Sequence, residues 1–158
     1  MMIPSTIDKR IKVMSLSVLD VKNLAIVDFD KEDPVKYINT LVIKRSSLAM
    51  LENRLVGGLF LDILKMSNVD VTEETEAALK RISSVANTYP QIFGDSKDRP
   101  DLREEINQLY HKVIDDIQPS LEEFYKTIIA IYTQTSIQPS ELEQMAHWEF
   151  KYLLKALK

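Results

Sequence analysis

Apolar residues recur at three- and four-residue steps along most of this chain, the period of one face of an α-helix. The strongest run is Leu48 to Met66, where Leu48, Leu51, Leu55, Leu59, Ile63 and Met66 keep that spacing and Val56, Phe60 and Leu64 widen the face. A helix that is apolar nearly all round in its middle belongs at the centre of a core. Gly57-Gly58 interrupts it. Each glycine costs a helix about 1 kcal/mol relative to alanine, so the pair implies a compensating close approach of a neighbouring helix, or a kink. The glycines lie inside the apolar pattern rather than between a strand and a helix start, which disfavours a phosphate-binding loop.

The other helices are read from stripes and from residues that start or stop them. Ser17 followed by Asp20 caps a helix from Val18 to about Val27. Asp33 caps the next, with Pro34 at the first helical position and Val35, Ile38, Leu41 and Val42 as its stripe. Lys44-Arg45-Ser46-Ser47 reads as a break, with Ser47 capping the central helix. Thr72 caps a helix whose first turn holds Glu73, Glu74 and Glu76, and Pro90 ends it. Tyr89 to Pro100 is the longest irregular stretch, a candidate mobile loop that Ile92 and Phe93 anchor to the core. Pro100 opens a helix to about Ile117, and Pro119 another to about Tyr132.

The last run, Pro139 to Lys158, is predicted as one amphipathic helix. Ser140 and Glu143 form its capping box, and Lys151, Lys155 and Lys158 suit its carbonyl end. Near the N-terminus the alternation of Ile11, Val13 and Ser15 with polar or flexible neighbours has period two and predicts a short strand, with Ile3 pairing across a turn near Ser5 to Lys9. The expected fold is mainly α: a single-domain helical bundle with a short N-terminal β-hairpin, divisible into helical halves 17–89 and 100–158 joined by a loop at 90–99.

Composition narrows the function classes. The chain has 158 residues, 45% of them hydrophobic and 28% charged, enough to bury a core and stay soluble. A net charge of −4, with basic residues scattered away from aromatics, argues against a nucleic-acid partner. The longest uncharged apolar stretch, Leu55 to Leu61, is too short to span a bilayer, and Met1 to Ser5 lacks the charged start and apolar run of a signal peptide. With no cysteine, thiolate chemistry is excluded and a reducing compartment fits. The expected location is the cytoplasm, without a membrane partner.

Catalytic signatures are thin. Nucleophile-elbow, Walker A and H-E-x-x-H patterns are missing from the sequence. The acidic connector Asp28 to Pro34 lacks the central glycine and final glutamate of an EF-hand. Glu143 and His147 are spaced to share a helix face, but a metal site needs further ligands, so Glu143 reads as a capping group and His147 as a partly buried surface histidine. Asp115-Asp116 and Glu122-Glu123 point about a hundred degrees apart on a helix and read as solvated faces. The expectation is a non-enzyme with no cofactor and no metal.

What remains is function by contact. Met145, Trp148, Phe150, Tyr152 and Leu153 are residue types found in interface cores, and the final helix carrying them reads either as a core helix closing the domain or as a docking face. The hairpin offers a strand edge for pairing. The run I-P-S-T-I-D-K-R-I-K-V-M-S-L-S-V-L-D-V-K-N-L resembles the opening of T4-like baseplate hub assembly proteins. The ending E-L-E-Q-M-A-H-W-E-F-K-Y-L-L-K-A-L is similar to that of phage tail assembly chaperones. Together the two stretches cover about a quarter of the chain. The resemblance implies a non-enzymatic factor for phage tail or baseplate hub assembly that engages tape-measure or hub proteins in the host cytoplasm. A helical regulatory adaptor is the alternative, and self-association into a homo-oligomer would hide the same apolar face.

Overall fold

The structure is a computed structural model that describes residues 1–93 and 99–157. In order, the elements are β1 (Ile3–Pro4), β2 (Lys12–Val13), α1 (Val18–Ile26), α2 (Pro34–Lys44), α3 (Asn53–Met66), α4 (Glu73–Thr88), a 3-10 turn (Pro90–Phe93), α5 (Pro100–Ile117), α6 (Leu121–Thr135), α7 (Pro139–Gln144) and α8 (His147–Ala156). The fold is a mainly α-helical bundle with a short N-terminal antiparallel hairpin, in which Ile3 faces Val13 and Pro4 faces Lys12. Among the described residues, no helix is long and apolar enough to cross a membrane.

Local chemistry sets most helix starts. The Ser17 hydroxyl accepts from the Asp20 N–H at 3.1 Å, and the Asp20 carboxylate accepts from the Ser17 N–H at 2.9 Å, so the expected cap is a full capping box. Asp33 accepts from the Val35 N–H at 3.0 Å with Pro34 behind it, and Thr72 accepts from the Thr75 N–H at 3.1 Å. The expected start of α6 at Pro119 moves to Leu121, because the hydroxyl of Ser120 caps it through the Glu123 N–H at 3.3 Å. That helix also continues through Thr133–Thr135, stopping where Ser136 takes a left-handed φ of 61°. The reading of 94–98 as part of a mobile loop, and of Phe93 as an anchor, lies outside the described residues and side chains; Ile92 is buried as expected.

The core is organised on α3. Val56, Leu59, Phe60, Ile63 and Leu64 have no exposed surface, and α4 and α2 pack on this helix while α5 lies across α4 and α2. A methyl group added at Gly57 would run into the Leu79 carbonyl oxygen of α4 and come within 2.6 Å of the Ser83 hydroxyl. The expected close approach is therefore backbone against backbone. At Gly58 the added carbon would lie 2.7 Å from Ile7, so the second glycine seats the hairpin turn on α3. Ser5 and Thr6 finish that seat: their hydroxyls donate to Asp62 at 2.7 and 2.6 Å.

Two expected helix boundaries are corrected by tertiary hydrogen bonds. The central helix begins at Asn53, not Leu48. Residues 45–47 instead run beside β2: the Met14 N–H donates to the Arg45 carbonyl at 2.9 Å, the Ser47 N–H to the Lys12 carbonyl at 2.8 Å, and the Lys12 N–H to the Ser47 hydroxyl at 2.9 Å. Ser47 thus serves a strand rather than a cap, and Leu48 packs on the core from a loop. The predicted terminal helix breaks into α7 and α8 at Met145 and Ala146, both extended. There the Met145 carbonyl accepts from the Val18 N–H and the His147 N–H donates to the Leu16 carbonyl, each at 2.9 Å. Its cap is Gln138, whose N–H donates to Glu141 at 3.4 Å, not Ser140 with Glu143.

Asp20 ties α1 to the end of α2. It is 2% exposed, and it accepts from Lys44 Nζ at 2.8 Å and from Arg45 Nε at 2.7 Å besides the Ser17 N–H. Burial alone would raise this carboxyl; the Lys44 and Ser17 hydrogen bonds and the Arg45 and Lys44 charges outweigh it and hold it below the usual carboxylate range.

Candidate docking surface

The extended step at Met145–Ala146 sets the rotation of α8. With the His147 N–H tied to Leu16, Phe150 falls one turn on and points inward, 3% exposed. Met145, Leu153, Leu154 and Leu157 line the edge of the core. Trp148 and Tyr152, four residues apart, face outward and meet edge to face with ring centroids 6.1 Å apart. They are 37% and 65% exposed. The five residues singled out in the sequence are therefore divided. Trp148 and Tyr152 stand together on the outer face, Met145 and Leu153 lie half-buried beside it, and Phe150 belongs to the core.

A second exposed stripe lies on α6, where Tyr125, Ile129 and Tyr132 recur at four- and three-residue steps, Ile129 being 61% exposed. The sequence reading did not divide the apolar residues of this helix between faces. The signal for two faces was present: the buried set is Phe124, Ile128 and Ile131, and the exposed set is the same pattern displaced by one residue. Lys22 of α1 braces this region, with its ammonium 2.6 Å from Glu143 of α7 and 6.0 Å from the centre of the Tyr125 ring. Glu143 thus ends in an ion pair.

The hairpin is less available for strand pairing than its sequence suggests. Residues 45–47 occupy the second edge of β2, and the Val13–Ser46 bridge marks that contact. β1 is two residues long and includes Pro4, which has no N–H to donate.

The polar candidates resolve into structural roles. His147 is buried, and its Nδ1 lies 2.7 Å from the Ser67 carbonyl, which places the proton on Nδ1. Burial pushes the imidazole below its ordinary pKa; the Ser67 contact opposes this and the Lys151 charge adds to it. The expectation of a partly buried surface histidine sharing a face with Glu143 is corrected on both counts. His111 is exposed on α5. Asp116 accepts from the Thr72 N–H at 3.2 Å and from its hydroxyl at 3.1 Å, bracing the start of α4. The acidic connector folds on itself: the Asp28 carboxylate accepts from the Asp30 N–H at 3.0 Å, and Phe29 tucks in against Tyr37 at 5.2 Å. Among the described residues, no group of three or more histidine, aspartate or glutamate side chains could hold a metal ion.

The chain matches no family model, no curated protein and no solved structure.

Proposed function

We propose that this chain is a non-enzymatic protein-binding factor that assists assembly of a phage tail or baseplate hub, and that it engages its partner through the outer face of α8. The observation that carries this reading is the Trp148–Tyr152 pair. Its inner neighbour Phe150 already fills the core, so the two outer aromatics are left over from folding. Tryptophan and tyrosine in such positions are the residue types that dominate binding energy at interfaces. The α6 stripe of Tyr125, Ile129 and Tyr132 adds a second apolar surface of the same kind. The resemblance of the two ends of the chain to hub assembly proteins and tail chaperones supplies the partner class, a tape-measure or hub protein. The hairpin contributes side-chain contact rather than a strand edge, because residues 45–47 cover β2.

Trp148 is the only tryptophan, so its fluorescence reports this surface directly. Acrylamide quenching is measured while purified tape-measure or hub protein is titrated in, and again with increasing concentration of the chain alone. Protection and a blue shift on adding the tail protein, lost in Tyr152→Ser, support the proposal. Protection that rises with self-concentration and ignores tail proteins would assign the face to a homo-oligomer instead. A signal unmoved by both removes the docking role from α8.

A further inference from the structure

The inner side of α8 borders a cavity of about 230 Å3 that the protein-binding reading does not use. Its body is apolar, with Leu24 of α1, Leu64 of α3 and Val69 among its walls. Into this lining the fold places a histidine with one ring nitrogen to spare. His147 is 6% exposed, and its Nδ1 proton is committed to the Ser67 carbonyl at 2.7 Å. Nε2 is then a lone-pair acceptor, and among the described residues it meets no donor. Nε2 is reached by solvent, so a ligand hydroxyl or N–H can take the place of water there while its apolar body covers the lining.

The charges around the cavity decide what kind of ligand. Lys151, one turn along α8 from His147, brings an ammonium; Asp70 and Asp116 bring two carboxylates. No excess of positive charge draws an anion, and Nε2 as an acceptor asks for a neutral hydroxyl or N–H. Size sets the rest. An apolar cavity of about 150 Å3 holds benzene, so this one has room for one ring, or an aliphatic group of similar bulk, with a polar atom attached.

We propose that this cavity binds a small neutral molecule with an apolar ring or short-chain body and a single hydroxyl or N–H, which donates to Nε2 of His147. The site is independent of the outer face of α8.

The test uses phenol as the probe and benzene as its donorless control, with nitrogen-15 spectra of the folded chain at pH 7.5. Phenol should shift the Nε2 resonance of His147 and the amides of Leu24, Leu64 and Val69, saturably and in the millimolar range. Benzene should bind about three- to tenfold more weakly, the ratio expected for one neutral hydrogen bond, and leave Nε2 unmoved. Val69→Trp, which fills the cavity from its wall, should abolish the phenol shifts. Equal affinity for the two probes, an unmoved Nε2, phenol shifts that survive in Val69→Trp, or no saturable shift with phenol would each overturn the proposal. The wild-type titration decides the matter even if Val69→Trp fails to fold.

Discussion

Replacing Asp20 by asparagine removes one charge from a buried junction and leaves its shape almost intact. The consequences differ for its partners. Lys44 is half exposed, so water replaces the lost carboxylate and that pair contributes little. Arg45 is 15% exposed and keeps a guanidinium facing a neutral amide that cannot offset it. The asparagine oxygen can still accept from the Ser17 N–H, so the helix cap survives. Breaking one side of a buried pair costs about 3–5 kcal/mol; with the cap retained, the expected loss is about 3 kcal/mol. In a domain of this size that lowers Tm by roughly 6–12 °C. Urea unfolding of wild type, Asp20→Asn, Arg45→Met and the double variant measures it, and the double variant should lose about 2 kcal/mol less than the sum of the singles. The carboxyl of Asp20 is held below its ordinary value in the folded chain, so its stabilisation is fully present above the unfolded pKa of about 4 and disappears as pH falls through the lower folded value. The gap between wild type and Asp20→Asn should therefore narrow on acidification. A loss under about 1 kcal/mol, or single losses that simply add, would refute this account.

Gly57→Ala places a methyl group against the Leu79 carbonyl oxygen; the overpacking cost of about 3 kcal/mol exceeds the helix-propensity gain of about 1 kcal/mol, so chemical denaturation should show a net loss near 2 kcal/mol. Because the His147 pKa is depressed in the folded chain, the unfolded chain takes up the proton first as pH falls below about 6.5; Tm should drop between pH 7.5 and 5.5, and His147→Gln should flatten that limb. Trp148→Ser removes a ring that is 37% exposed and should cost about 1–2 kcal/mol in thermal unfolding, below the 3–5 kcal/mol of a core tryptophan truncation.

Features encoded within one turn were legible in the sequence. Ser17 with Asp20, Asp33 with Pro34, and Thr72 each set a helix start through bonds to residues two or three positions away. The Gly57-Gly58 pair was read as a close helix approach or a kink because glycine is costly inside a helix, and the Leu79 carbonyl is what Gly57 approaches. The misread boundaries depend on partners far along the chain. Leu48 and Leu51 keep helical spacing, yet the backbone before them is recruited by Lys12 and Met14. Met145 and Ala146 sit inside an unbroken apolar period, yet Val18 takes the Met145 carbonyl and Leu16 takes the His147 N–H on the other side of Ala146. At the candidate surface, spacing alone put Trp148 and Tyr152 on a common side. It could not assign Phe150 to the core, because the apolar arc of that helix is too wide and the break that fixes its rotation is invisible locally. The α6 stripe went unseen for the same reason, an arc wide enough to hold a buried and an exposed set together.

The bridge between Leu16–Val18 and Met145–His147 also has a bearing on the order in which the molecule assembles. The contacts of α3 with α4 and of α4 with α5 join elements that follow one another in the chain. The bridge closes a loop that spans most of the chain, so it gains nothing until the bundle between its two ends is in place. It should therefore be absent from the folding transition state. Weakening it then leaves the folding rate nearly unchanged and speeds unfolding, which makes two backbone hydrogen bonds at a helix break the clasp that sets how long the native chain persists.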